Sequence, residues 1–304
     1  MNPKRIVLAG GSGFLGQALA AELLRRGCQV VVLTRTPRER ADGVREVEWD
    51  AEHLGEWIRF LDGAEAVVNL TGRSVNCRHT PENLREIIES RVHSVGAVAG
   101  AIYHVTRPPR VWVQAGSLAF YGDRGGEWCD ENSPPKAGTA VEICQRWENA
   151  FRTAPAPQTR KVLFRIGIVL ARDAGALSVL GKLARWFLGG RVGSGQQYVS
   201  WLHLADMNRM FLDALEREEL VGTFNACAPN PVTNGEFMRE LRRALHRPWS
   251  PPAPGWAVHF GSWLLRTEPS LALTGRRCAP KRFLESGFKF QFTELRAALQ
   301  DIYG

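Results

Sequence analysis

Gly10–Gly11–Ser12–Gly13–Phe14–Leu15–Gly16 is the sharpest local signal in the chain. Before it stands Arg5–Ala9, an apolar run of strand length. After it comes Gly16–Arg26, with Leu15, Leu19 and Leu23 on one helical face and Gly27 as a stop signal. Gly10, Gly13 and Gly16 follow a Gly-x-x-Gly-x-x-Gly spacing. Gly10 allows a tight turn, Gly13 lets backbone approach a pyrophosphate, and Gly16 lets helix and strand pack closely. The pyrophosphate then rests on N–H groups at the helix N-terminus, which have no partner inside the helix. Strand, glycine loop and helix in this order predict dinucleotide binding, with Gly10, Gly13, Phe14, Leu15 and Gly16 as the contact residues. A glycine-rich turn that holds nothing is the plain alternative.

Working outward, strand patterns recur at Gln29–Leu33, Glu46–Trp49, Ala66–Leu70, Val111–Ala115 and Val162–Val169. Between them lie helical patterns, notably Pro81–Ile102, opened by Thr80 as cap, and Val141–Phe151. Apolar strands separated by helices predict an α/β protein with a doubly wound parallel sheet of the Rossmann type. The second half is less regular. It offers helices at Ala176–Leu188, Leu204–Glu216 and Thr233–His246, the last with Thr233 and Glu236 spaced as a capping box. A short strand at Gly222–Ala226, a proline-rich linker at Arg247–Pro254, and helices at Ala257–Leu265 and Thr293–Ile302 complete it. The expected division is a dinucleotide-binding domain over 1–170 and a smaller, α-rich substrate-side region over 171–304, including a small C-terminal domain at about 250–304.

Composition removes several function classes. The 304 residues are 44% hydrophobic and 23% charged, an ordinary globular balance. There is no apolar run of about 18 residues, so no membrane span is expected. The first residues run directly into a strand pattern, and no secretory signal is expected. The net charge of +8 comes from dispersed arginines and lysines without a basic run, so no nucleic-acid partner is expected. Six cysteines without a Cys-x-x-Cys pair and seven histidines without His-x-x-x-His predict no metal site, with reduced thiols in a cytoplasmic setting.

The end of the second strand reads Leu33–Thr34–Arg35–Thr36. An NAD-binding chain usually carries an acid there for the ribose hydroxyls. Here Arg35 suits a 2′-phosphate through charge-assisted bonds, with Thr34 adding one more. The expected cofactor is therefore NADP (NADPH) in preference to NAD. A surface arginine following a strand is the alternative.

These residues, with GGSGFLG (10–16), LTR (33–35), VNLTG (68–72), ESR (89–91), FYGD (120–123), CQRWE (144–148), RIGIVL (165–170), GSGQQYVSWLH (193–203), GTFNACAPNPVTNGEF (222–237) and GRRCAPKRFLESGFKF (275–290), resemble the extended short-chain dehydrogenase/reductases. The similarity is to an atypical NAD(P)-dependent, sugar-nucleotide epimerase-like branch with a small C-terminal domain, and it spans nearly the whole chain. The resemblance implies that Leu70, Thr71 and Gly72 pass along the cofactor ribose, although the family more often has Ala where Thr71 stands. It implies that Glu86 and Arg91 lie on a helix facing the cofactor, with Arg91 reaching a ribose or phosphate. A solvated helix face is the other reading. It also implies that Arg165 ends its strand near the nicotinamide.

The family's chemistry normally rests on Ser, Tyr and Lys, the last two one helical turn apart. No Tyr-x-x-x-Lys occurs in this chain, and the Tyr and Lys positions fall on Ala140 and Cys144. Cys144 reads as inert core. Ser117, four residues before Tyr121, is the candidate to orient a substrate oxygen, or else a turn serine. Tyr121 is the candidate replacement acid, or else a wall of the site. Gln197 and His203 offer polar edges beside Trp201, His203 more readily as a structural histidine. Two functions follow. One is an NADP-dependent oxidoreductase or epimerase acting on a small polar or nucleotide-linked carbonyl or alcohol, the partner being that small molecule, a nucleotide sugar included. The other is a non-catalytic NADP-binding sensor or regulator. A monomer or homodimer fits both.

Overall fold

The computed structural model describes residues 3–264, 266 and 268–304. Seven strands form one sheet: β1 (Arg5–Ala9), β2 (Gln29–Thr34), β3 (Arg45–Glu48), β4 (Ala66–Asn69), β5 (Val111–Ser117), β6 (Arg160–Ile166) and β7 (Gly222–Ala226), in spatial order 7-6-5-4-1-2-3. All neighbours pair in parallel. The order turns back at β1 and β4, whose C-terminal ends therefore splay a crevice where a ligand can lie. Four helices flank this sheet: α1 (Phe14–Arg25), α2 (Pro81–His104), α3 (Thr139–Thr153) and α5 (Leu204–Glu216), with α4 (Gly175–Arg185) before α5.

Alternation of side chains along each strand explains the two-sided core. Ile6 and Leu8 join Leu19, Leu23, Met210 and Phe211 on the α1 and α5 side. Val7 and Ala9 join Val95, Val98 and Trp112 on the α2 and α3 side. A third core lies under α6 (Asn234–Ala244) and α10 (Leu295–Tyr303), built on Trp201, Phe237 and Leu299. The expected capping box closes on α6, with Thr233 and Glu236 bonded reciprocally. Between α6 and α10 come α7 (Gly255–Leu264), α8 (Ser270–Leu273) and α9 (Lys281–Glu285). Leu265, expected at the end of α7, lies outside the described residues.

Three differences from the sequence reading have local causes. The run Val162–Val169 is not one strand. It breaks at Gly167, whose N–H donates to Ala226 O, and Ile168–Leu170 leaves the sheet to pair with Trp201–His203. A side chain at Gly167 would stand 2.4 Å from Ser200 O, so only glycine passes there. Second, the sheet extends past residue 170, because β7 completes it beside β6. Third, the helix expected to reach Leu188 ends at Arg185, where Phe187 takes φ +59°.

Candidate cofactor and active site

The glycine loop is shaped from inside and open outside. Gly10 has φ +70°, and a Cβ there would meet Thr71 Oγ1 at 2.8 Å. A Cβ on Gly16 would lie 2.4 Å from Gly11 Cα, so α1 packs directly on the loop backbone. Gly13 differs, since a Cβ there would meet only Gly10 O, at 3.6 Å. Among the described residues nothing demands glycine at 13, and the space in front of it is open. Gly13 caps α1 without a side-chain bond, and the first turn carries no acid. The N–H groups of Phe14, Leu15 and Gly16 thus head a positive helix terminus that no side chain occupies. The Phe14 and Leu15 side chains pack on the core.

At the tip of β2, Arg35 and Arg38 are exposed, and neither makes an ion pair among the described residues. Asp42 and Glu46 are already engaged by Arg40, at 2.5 and 3.3 Å, and Glu46 also accepts from Arg38 N. The Arg40 guanidinium holds the Asp42 carboxyl below its ordinary pKa. Two arginines without an ion pair among the described residues therefore follow this strand, and the exposed Glu48 stands opposite Thr34 on the neighbouring β3. Thr34 turns inward, its hydroxyl 3.3 Å from Ser12 Oγ, so it braces the glycine loop before serving any ligand.

Beside the loop, Asn69 Oδ1 accepts from Thr71 N, and Asn69 Nδ2 donates to Ser94 Oγ and Gln114 Oε1. Asn69, Ser94 and Gln114 are buried. This triad sets the turn Leu70–Thr71–Gly72. Thr71 Oγ1 is buried without a hydrogen-bond partner. An orphaned hydroxyl beside an open helix terminus is the feature a bound dinucleotide would complete, and the site fits such a group.

Arg91 is 9% exposed. Its Nη1 donates to Arg73 O and Ile87 O, its guanidinium stands 4.9 Å from the Trp147 ring, and a Cβ on Gly72 would lie 3.1 Å from its Cζ. Burial lowers its pKa, and no carboxylate lies within ion-pair distance among the described residues. The structure thus sets Arg91 against the Gly72 turn rather than on a solvated face. Glu86 does not join it. It is exposed and pairs with Arg73, so the expected cofactor contact at Glu86 is corrected to a surface ion pair.

The chemistry end departs further from expectation. Tyr121 has no exposed surface, donates to Asn225 Oδ1 at 2.7 Å and accepts from Arg165 Nη1 at 2.8 Å. Burial pushes its pKa above the ordinary tyrosine value. Its proton is spent inside the fold, and the expectation of Tyr121 as a replacement acid is corrected to a structural role. Arg165 is likewise turned inward. It forms a two-pronged pair with Glu148 at 2.9 and 2.8 Å and stacks on Phe120. The charge inside an apolar strand, read from the sequence as a nicotinamide contact, is neutralised by an acid on α3. Glu148, 2% exposed, is the residue the sequence reading missed. The only signal was an unexplained acid in CQRWE. Cys144 is buried, and burial pushes its thiol up to about 12.

Ser117 ends β5 and caps the following turn, accepting from Ala119 N at 3.1 Å. Its hydroxyl proton is uncommitted and its surface half-buried. Gln197 spends its amide on Val192 O and Ala272 O. His203 caps α5 through Nδ1, stacks on Phe292 and faces Asp301 at 3.3 Å. Both tie elements together. No cluster of three or more His, Cys, Asp or Glu suited to a metal ion occurs among the described residues, nor is any described helix long and apolar enough to cross a membrane.

Comparison with known proteins places this geometry. Residues 6–145 match the NAD dependent epimerase/dehydratase family, and residues 253–302 match a domain of unknown function, DUF1731. The chain is 34% identical to the human epimerase family protein SDR39U1, covering 98% of this chain and 99% of that one. It is 30% identical to the epimerase family protein YfhF of Bacillus subtilis, over 98% and 97%. Among solved structures, human SDR39U1 with NADPH superimposes with a TM-score of 0.88 at 32% identity, over 98% and 99% of the two chains.

Proposed function

Because the chain belongs to the epimerase family of extended short-chain dehydrogenase/reductases, we propose that it is an NADP(H)-dependent oxidoreductase or epimerase acting on a small polar carbonyl or alcohol, nucleotide-linked sugars included. The observation that carries the cofactor choice is the tip of β2, where Arg35 and Arg38 stand exposed without an ion pair among the described residues while Arg40 engages Asp42 and Glu46. The human relative crystallised with NADPH supports it.

When bound, the nicotinamide supplies hydride exchange at its C4. The chain's own residues do the rest. Gly10, Gly13 and Gly16, with the N–H groups of Phe14 and Leu15, hold the diphosphate, and Arg35 with Thr34 takes the 2′-phosphate end. Leu70, Thr71 and Gly72 line the ribose, the Thr71 hydroxyl gaining its missing bond. Arg91 brings a cation from α2 to the side of Cys144, where the family's lysine would stand. Ser117 donates its free proton to the substrate oxygen and orients it. In this reading residues 1–170 hold the cofactor and 171–304 form the substrate side, in a cytoplasmic monomer or homodimer.

A second reading, a sensor that holds NADP without turnover, is favoured by one observation. The positions for Tyr and Lys carry Ala140 and a buried thiol, and Tyr121 is sealed in the core. Titration of the purified protein with NADPH and NADH, followed by nicotinamide fluorescence, tests the common premise. Tight, NADPH-selective binding supports both readings, and turnover in a screen of carbonyls and sugar nucleotides selects the first. Failure to bind either cofactor ends both.

A further inference from the structure

We propose that Arg276 is a substrate-binding residue that recognises an anionic oxygen group, so that the site takes a substrate carrying a carboxylate or a phosphate. The inference deepens the proposed function and rests on it.

Arg276 lies in the extended segment between α8 and α9, and its backbone is fixed on both sides. Arg124 N donates to Gly275 O, and Gly275 N donates to Asp123 Oδ1. Arg276 N donates to Tyr198 O, and Ser200 Oγ donates to Arg276 O. A Cβ on Gly275 would stand 2.5 Å from Tyr198 N, so the approach needs glycine. The turn after β5, which carries Ser117 and Tyr121, thus clamps Arg276 from one side. The Tyr198–Ser200 segment, which follows the break at Gly167, clamps it from the other. This is the C-terminal edge of β5 and β6, where the substrate of a doubly wound sheet is expected.

The guanidinium has no acid. Among the described residues no carboxylate lies within 4.0 Å of it, its one hydrogen bond is a 3.4 Å contact from Nη2 to Thr274 Oγ1, and its Nε is buried without a partner. The neighbouring arginines have other partners, the Arg277 Nε alone among them being buried without a hydrogen bond. Arg124 pairs with Glu127, Arg165 with Glu148, Arg282 donates to Val221 O and Thr223 O, and Arg277 stacks on Trp128 and Tyr198. Arg91 faces the turn at Gly72, and Arg276 lies within the residues of the second matched domain. A half-buried cation without a counterion is costly, and a planar oxyanion repays that cost with two charge-assisted bonds. A neutral hydroxyl cannot.

The test is calorimetry at constant ionic strength on the full chain, with and without NADPH, titrating acetate, inorganic phosphate and neutral acetamide. The expected result is saturable binding of acetate or phosphate but not acetamide. The stronger of the two anions identifies a carboxylate or a phosphate source. Arg276→Gln should lose that binding by about ten- to a hundredfold, the range of a hydrogen bond to a charged group, with NADPH affinity unchanged, while Arg276→Lys retains part of it. A melting curve checks that each variant is folded. Undiminished anion binding in Arg276→Gln, or acetamide binding as well as acetate, overturns the proposal. A parallel loss of NADPH affinity assigns Arg276 to the cofactor and also overturns it. Absence of NADPH binding in the unmodified protein is a separate outcome that defeats the cofactor reading, and the NADPH-free titration still decides the role of Arg276.

Discussion

At the scale of single residues, the site is defined by which polar groups are already spent. Arg35 has no partner among the described residues, so Arg35→Ala should weaken NADPH binding by about 1.5–3 kcal/mol, as for hydrogen bonds to charged groups, and leave NADH nearly unchanged. Paired fluorescence titrations check this, and equal losses for both cofactors would remove the 2′-phosphate role. Thr71 Oγ1 is buried and unpartnered. Thr71→Ala should therefore leave the cofactor-free protein as stable as before, or more stable by up to about 1 kcal/mol, because it deletes an unsatisfied group. NADPH binding should weaken in the same variant. Urea denaturation and titration together separate that outcome from a purely structural threonine, which would lose stability and keep affinity.

At the scale of elements, α3 is the instructive case. The family's acid–base pair belongs on this helix, yet here it buries Cys144 and sends Glu148 into a pair with Arg165 on β6. Arg165 in turn holds Tyr121, and Tyr121 holds Asn225 on β7. Through these contacts α3 locks β5, β6 and β7 together. Glu148→Ala should cost about 3–5 kcal/mol, the typical loss on stranding one partner of a buried ion pair, seen as a lower urea midpoint. A loss below 1 kcal/mol would show that the network is not structural. Alkali provides a second check. The folded Cys144 pKa, about 12, lies above the ordinary thiol value. The unfolded chain therefore releases this proton first, and stability falls as pH rises from about 9 toward 12. Cys144→Ala should flatten that decline, and an unchanged slope would mean that the thiol is not sealed.

At the scale of the whole molecule, a ligand that binds only the folded chain adds stability by mass action. NADPH at a hundred times its dissociation constant should add about 2.7 kcal/mol and raise the melting temperature, with NADH at the same concentration doing less. The positive net charge of +8 suits an anionic cofactor and an anionic substrate alike. The second half of the chain closes this arrangement. It gives the sheet its edge strand β7, and it brings the 275–278 segment back to pair with Trp128–Cys129 beside the C-terminal edge of β5.

The sequence by itself determined the parts governed by local pattern. The glycine spacing at 10, 13 and 16, most strand and helix periodicities and the capping box on α6 are short-range and appear in the fold where the pattern set them, apart from the break at Gly167 and the earlier end of α4 at Arg185. The tertiary structure alone decided which charges are free. Arg35, Arg91, Arg165 and Arg276 look alike in the chain. The fold gives Arg165 a carboxylate 17 positions away and Arg91 the Trp147 ring of α3, and among the described residues it leaves Arg276 without an acid. Tyr121 reads in the chain as a candidate acid or a wall of the site, and the fold has it donate to Asn225, 104 positions on. Pairing between distant positions depends on topology and register, and a single sequence carries periodicity but not partnership.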